Sequence, residues 1–304
     1  MIDNVCVFAG QGAQAPGMGK DLAADPEVAA LFGRANAALG FDIATLCFEG
    51  PAEELTKSDI CQPAIFTVSV AAFRAFQKRF PSVSFAMAGG LSLGEWTALH
   101  VAGVLDFDDA LRVLEARGRF MQQACEEQPS GMVSVMGATP EQIAELCGTC
   151  GITVANINSD AQIVLSGRKE GVAAAAQAAG EMGLRAIVLN VAGAFHSPLM
   201  ASARAKLADV LEGIDFKPPQ IPVLSNVTGA PHSSDPVEMK AAMLRQVTES
   251  VRWADCIKGA VAAGGATFVE FGPGKVLSGL IKRIDKNVAT LNVSDVPTLE
   301  GIVF

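Results

Sequence analysis

The sequence predicts an α/β protein with a mainly parallel sheet, interrupted by a small antiparallel insert. Three observations carry this. Short apolar runs, 4-NVCVF-8, 83-VSFAMA-88, 221-IPVLSN-226 and 267-TFVEF-271, alternate with stretches of helical periodicity. A glycine-lined turn, 90-GLSLG-94, joins one of those runs to a helix. Residues 128–194 read β-α-β-β-α-β, the order of the ferredoxin-like motif. With 304 residues the chain can bury a large core. The expected organisation is a large domain from 1–127 and 195–304 and a small domain from 128–194. Ligand sites favour such junctions.

The first strand, 4–8, ends in 9-AGQGAQAPGMG-19. Gly10-x-Gly12-x-x-Ala15 is a poor dinucleotide fingerprint, because Pro16 and Gly17 stand where a helix should run and no acid closes a strand near position 31. A loop at the carboxyl end of a strand can lie beside a neighbouring turn. Its backbone N–H groups, Gln11 first, are candidates for an oxyanion hole.

The run 83–88 leads into Ser92, which fits the G-x-S-x-G nucleophile elbow with a strand before it and a helix after it. The flanking glycines keep Cβ atoms out of a sharp turn. The helix N-terminus favours developing negative charge, and the Leu93 N–H is the natural first oxyanion donor. A bare glycine turn with a small residue is the competing reading. A serine nucleophile needs a base, and the chain has three histidines. His100 lies two turns into the following helix and reads as structural. His232 sits in the polar stretch 229-GAPHSSDP-236 and reads as exposed. His196, in 192-AGAFHSPLM-200, lies where the insert returns to the large domain, and position and elimination favour it.

The stretch 107-FDDALRVLEARGRFMQQA-124 reads as a helix capped by Asp106. Ala110, Leu114, Arg117 and Met121 share one face, which puts Arg117 on the apolar stripe. A buried guanidinium keeps its proton and must meet an anion. That anion is an internal Asp or Glu, or a substrate carboxylate held by two hydrogen bonds. In the insert, 131–137, 152–157, 161–167 and 185–191 read as strands, the middle two paired around 158-NSD-160. Residues 139–147 read as a helix capped by Thr139, and 169–183 as a second helix.

Half the residues are hydrophobic and 18% are charged, as in an ordinary globular protein. No apolar run reaches membrane-spanning length, and MIDNVCVFAG is not a secretory leader. A net charge of −9 argues against a general nucleic-acid binder. Seven scattered cysteines suit a reducing cytoplasm better than a disulfide framework. Cys147-Gly-Thr-Cys150 lacks a second ligand pair and reads as structural. The chain contains no tyrosine.

Several stretches coincide, in order, with one family: 8-FAGQGAQ-14, 62-QPA-64, 89-GGLSLGEW-96, 117-RGRFMQ-122, 156-NIN-158, 194-AFHSPLM-200, 225-SNVTG-229, 245-RQVTESVRW-253 and 270-EFGPGKVLSGLIKR-283. On these the chain resembles malonyl-CoA:acyl carrier protein transacylases of bacterial fatty-acid synthesis, and is similar to the acyltransferase domains of polyketide synthases. The resemblance implies an α/β-hydrolase-like large domain with a ferredoxin-like insert. It implies Ser92 as nucleophile, His196 as base, Arg117 on the malonyl carboxylate, and the N–H groups of Gln11 and Leu93 as oxyanion hole. It implies that the Gln246 backbone carbonyl orients the histidine in place of a triad aspartate. Phe195 would restrict the acyl group, and Asn158 would contribute to substrate binding. Leu91 departs from the histidine many members carry there, and 158-NSDAQ-162 departs from N-S-P-G-Q.

The expected chemistry is ping-pong acyl transfer from malonyl-CoA to acyl carrier protein, with no metal or redox cofactor, no nucleic acid and no membrane, by a cytoplasmic monomer. An acidic carrier would dock on a local basic patch, for which Arg119, Lys275, Lys282, Arg283 and Lys286 are candidates, or are ordinary solvated surface. The competing functions are a polyketide acyltransferase, a serine hydrolase on the same scaffold, and a non-catalytic carrier-binding module.

Overall fold

The computed structural model describes residues 4–303. Its strands are β1 (Asn4–Phe8), β2 (Met87–Gly90), β3 (Ser130–Met136), β4 (Thr153–Ser159), β5 (Gln162–Arg168), β6 (Arg185–Val188), β7 (Thr267–Phe271) and β8 (Ala289–Val293). They form two sheets, ordered β2-β1-β7-β8 and β4-β5-β3-β6. All pairings in the first are parallel and all in the second antiparallel.

In the parallel sheet β1 and β7 are central, and their apolar runs are buried on both faces. Phe8, Phe73, Phe76 and Phe85 gather around Phe271 on one side, Phe73 and Phe76 meeting it edge-on with ring centroids 5.2 Å apart. Edge-on contact matches the positive ring edge to the negative face. Trp96 and Trp253 are also fully buried. At the sheet edges one expectation fails and one strand goes unread. Residues 221–226 are not a strand, because Pro222 has no N–H to donate. The segment makes two isolated bridges, Ala88 to Val223 in parallel and Leu224 to Pro231 in antiparallel sense. The edge strand β8 escapes sequence reading, since it runs from exposed Ala289 through three half-exposed residues to buried Val293 with no clear alternation.

In the second sheet, helices Pro140–Cys150 and Lys169–Glu181 are the connections between β3 and β4 and between β5 and β6. Thr139 closes a capping box with Gln142, satisfying two N–H groups at that helix start. Asp106 stands at the N-cap of helix Phe107–Glu127 without a side-chain cap bond, contrary to the expected role. No helix of the described residues is long and apolar enough to cross a membrane.

Two glycines set the separations that matter for the site. A Cβ on Gly94 would lie 2.2 Å from the Phe8 carbonyl oxygen, so the helix after the serine turn abuts β1 directly. A Cβ on Gly118 would lie 2.2 Å from the Ser58 carbonyl oxygen, so helices Ser58–Arg79 and Phe107–Glu127 touch backbone to backbone there. Overpacking such contacts costs about 1–3 kcal/mol. Gly94→Ala is therefore expected to lower the melting temperature by several degrees, while Gly148→Ala, at an open helical position, leaves it unchanged or raises it. Equal melts for the two variants would contradict the close approach.

Candidate active site

Ser92 precedes helix Leu93–Val101 with φ 54° and ψ −104°. Among the described residues only Ser92 and His196 are non-glycine with positive φ. Such backbone persists only where its surroundings impose it. At Ser92 the surroundings are two amides. Asn226 Oδ1 accepts from the Ser92 N–H at 2.7 Å while its Nδ2 donates to the Gly90 carbonyl at 2.9 Å. Gln246 Nε2 donates to the Ser92 carbonyl at 3.0 Å.

The Ser92 hydroxyl lies 2.8 Å from His196 Nε2. On the far side of the ring, Nδ1 is 2.7 Å from the Gln246 backbone carbonyl. A carbonyl only accepts, so Nδ1 carries the ring proton and Nε2 presents its lone pair to Ser92. Burial, then the neighbouring Arg117 charge, pushes His196 down to about 4, against the Gln246 carbonyl, which holds the ring proton. The ring is a neutral acceptor at physiological pH. Its ordinary value of 6.5 returns on unfolding. Between pH 6.5 and about 4 the unfolded chain therefore binds a proton here that the folded chain does not, and this ring's contribution to stability declines as pH falls through that window. Ring titration by NMR, simple with three histidines, is expected to keep His196 neutral down to about pH 4. A midpoint near 6.5 would overturn this picture.

Arg117 is 1% exposed. Its Nη1 donates to Gln62 Oε1 at 2.7 Å, and its Nη2 to Ser92 Oγ and to Gln246 Oε1, both at 3.0 Å. These acceptors are all neutral, so the internal acid left open by the sequence is not bonded to it. Arg117 Nε finds no acceptor among the described residues. Burial draws its pKa down to about 10, opposed by the Glu95 carboxylate nearby, and it stays charged at neutral pH. A charged guanidinium with a free donor, beside a nucleophile, is suited to an anionic group on a substrate.

A cleft of about 840 Å³ opens over Ser92 and His196, between the two sheets' units. Gln11, Leu91, Phe195, Asn156 and Asn158 line it. Asn158 Oδ1 faces no partner. The Gln11 and Leu93 N–H groups bond to no carbonyl among the described residues. Of the basic candidates, Lys275 and Arg283 line the cleft. Lys282 instead donates to the Lys286 and Val288 carbonyls, Arg119 pairs with Glu115 and covers the Phe120 ring, and Lys286 is exposed.

The other two histidines are elsewhere. His100 bonds the Leu105 carbonyl and packs against Phe66 and Phe107. His232, expected on an exposed loop, is buried, with Nε2 2.6 Å from Glu95 Oε1. The buried acid draws it inward. Gln62, Glu95 and Asn226 fall within stretches quoted for the resemblance, yet sequence reading gave them no role. No group of three or more acidic, Cys or His side chains among the described residues could hold a metal, and Cys147 and Cys150 are free.

A family profile described as "Acyl transferase domain" matches residues 5–299. The malonyl CoA-acyl carrier protein transacylase of Haemophilus influenzae is 39% identical over 302 residues, covering 97% of this chain and 96% of that protein. The solved malonyl CoA-acyl carrier protein transacylase of Clostridium perfringens superposes with a TM-score of 0.93 at 38% identity, covering 98% of this chain and 95% of that one. A type II PKS acyl-carrier protein in complex with its malonyl-transacylase gives 0.93 at 38%, covering 98% of both.

Proposed function

This chain belongs to the acyl transferase domain family, and from that premise we propose that it transfers malonyl groups from malonyl-CoA to the phosphopantetheine thiol of acyl carrier protein. The carrying observation is the Ser92 hydroxyl held between a neutral His196 acceptor at 2.8 Å and the Arg117 guanidinium at 3.0 Å. Base and carboxylate clamp meet at one nucleophile.

In the first half-reaction His196 Nε2 takes the Ser92 proton as Oγ attacks the thioester carbonyl. The oxyanion rests on the Gln11 and Leu93 N–H groups. The C–S bond breaks, His196 returns the proton to sulfur, and CoA leaves as its thiol. In the second, the phosphopantetheine thiol gives its proton to His196 and attacks the malonyl-serine ester, and Ser92 is reprotonated. Arg117 holds the malonyl carboxylate throughout, and the buried Phe195 ring limits room beside the acyl carbon. Asn158 offers its unpaired oxygen to the pantetheine side of the thioester. Only groups of this chain enter the scheme, which calls for no cofactor.

We read residues 1–127 and 195–304 as an α/β-hydrolase-like catalytic domain and 128–194 as a ferredoxin-like insert, whose strand order β4-β5-β3-β6 supports that assignment. Lys275 and Arg283 at the cleft are the basic groups for an acidic carrier. A cytoplasmic monomer supplying fatty-acid synthesis is the simplest setting. Polyketide synthesis is the second reading, favoured by the solved complex with a type II PKS carrier.

The test is intact-protein mass after brief mixing with malonyl-CoA, followed by addition of carrier protein bearing phosphopantetheine. The protein is expected to gain one malonyl mass and pass it to the carrier. Rapid release of free malonate without carrier would instead make it a hydrolase.

A further inference from the structure

Glu95 and His232 take no part in the scheme above, yet their side chains are 0% and 1% exposed. A buried carboxylate is costly unless its oxygens are bonded. Here both are. Oε1 lies 2.6 Å from His232 Nε2, and Oε2 accepts from Gln246 Nε2 at 2.5 Å. The His232 backbone N–H donates to the Val223 carbonyl at 2.8 Å, tying its loop to the edge of the parallel sheet.

Gln246 is where this pair meets the site. Its backbone carbonyl faces His196 Nδ1, its Oε1 accepts from Arg117 Nη2, and its Nε2 donates to the Ser92 carbonyl. A side-chain amide has one accepting and one donating end. Arg117 can only donate, while the Ser92 carbonyl and the Glu95 carboxylate accept. One amide orientation satisfies all three, and Glu95 is the partner that the reacting groups do not supply.

We infer that Glu95 and His232 form a buried positioning pair that fixes the Gln246 amide, and through it sets Ser92, the His196 tautomer and the Arg117 donors. This rests on the transacylase reading above. His232 holds the carboxylate in place, Glu95 holds the amide, and neither touches substrate.

The test compares Glu95→Ala, Glu95→Gln, His232→Ala and His232→Gln with wild type. It measures single-turnover malonylation of Ser92 by quenched mass spectrometry, per folded protein, together with the ring ¹⁵N shifts of His196. A glutamine at 95 can turn its oxygen to Gln246 and its NH2 to His232, whose other ring nitrogen then carries the proton. A glutamine at 232 keeps an N–H donor for Glu95. Both alanine variants are expected to acylate about 10- to 100-fold more slowly, the effect of one buried group left unpaired. Their His196 nitrogen shifts should converge, reporting mixed tautomers. Both glutamine variants should return to within a few-fold of wild type. A folded alanine variant with wild-type rate and tautomer, or glutamines no better than alanines, would overturn the pair. If Glu95→Ala does not fold, the two His232 variants decide, since that residue lies on a loop. Wild type that takes up no malonyl would sink the transacylase reading instead, and the nitrogen shifts would still decide the pair.

Discussion

Ser92→Ala is expected to take up no malonyl group and to lose turnover by roughly 10⁴–10⁶-fold, as when a nucleophile is deleted from a working triad. The fold should survive. The bonds from Asn226 and Gln246 that shape the turn reach the Ser92 backbone, not its hydroxyl. What disappears is the oxygen shared by His196 and Arg117. The measurement is intact mass after mixing with malonyl-CoA, beside carrier malonylation and a thermal melt. A variant that still transfers malonyl at the wild-type rate would move the non-catalytic carrier-binding reading ahead and leave covalent catalysis untenable.

Arg117→Ala is expected to lower kcat/KM for malonyl-CoA by roughly 10²–10³-fold, the scale of losing one partner of a buried charge pair. The same variant should take up an uncharged acyl group such as acetyl more readily relative to malonyl than wild type does. Two further effects follow from the contacts. Gln62 Oε1 and Gln246 Oε1 each lose their donor, so some stability goes with the side chain. The His196 ring, held down in part by the Arg117 charge, should titrate at higher pH in the variant. An unchanged preference for malonyl would place the carboxylate somewhere other than Arg117. Lysine would be a poor substitute, since a point charge cannot donate to Gln62, Gln246 and a carboxylate in the planar fork Arg117 offers.

The parts of the molecule legible in the sequence are those fixed by local pattern. β1 and β7 show as short, largely apolar runs because both faces are buried, Glu270 being the one charge within them, and Arg117 shows as a charge on an apolar stripe because helix Phe107–Glu127 keeps its period. The glycines at 90 and 94 mark the turn because no Cβ fits there. What stayed hidden depends on pairing across the chain. His232 has polar neighbours, and only Glu95, 137 positions away, makes it interior. Asn226 bonds Ser92 across 134 positions, and no local pattern announces that. The Gln246 side chain is the same case, since its three partners come from two distant segments, Ser92 and Glu95 at the serine turn and Arg117 on the next helix. Pro222 was visible, but its consequence for the 221–226 run depended on which sheet edge received it.

The all-phenylalanine aromatic cluster and the two enclosed indoles have an optical consequence. With no tyrosine in the chain, the indole emission of Trp96 and Trp253 is free of tyrosine overlap. Both are fully buried, and neither indole N–H has a partner among the described residues. Their light should be blue-shifted in the native protein and move sharply to the red when water enters. Trp96 sits one turn beyond Ser92 on the same helix, so a single intrinsic colour change can follow both the melting of the variants above and the repacking of the turn that carries the nucleophile.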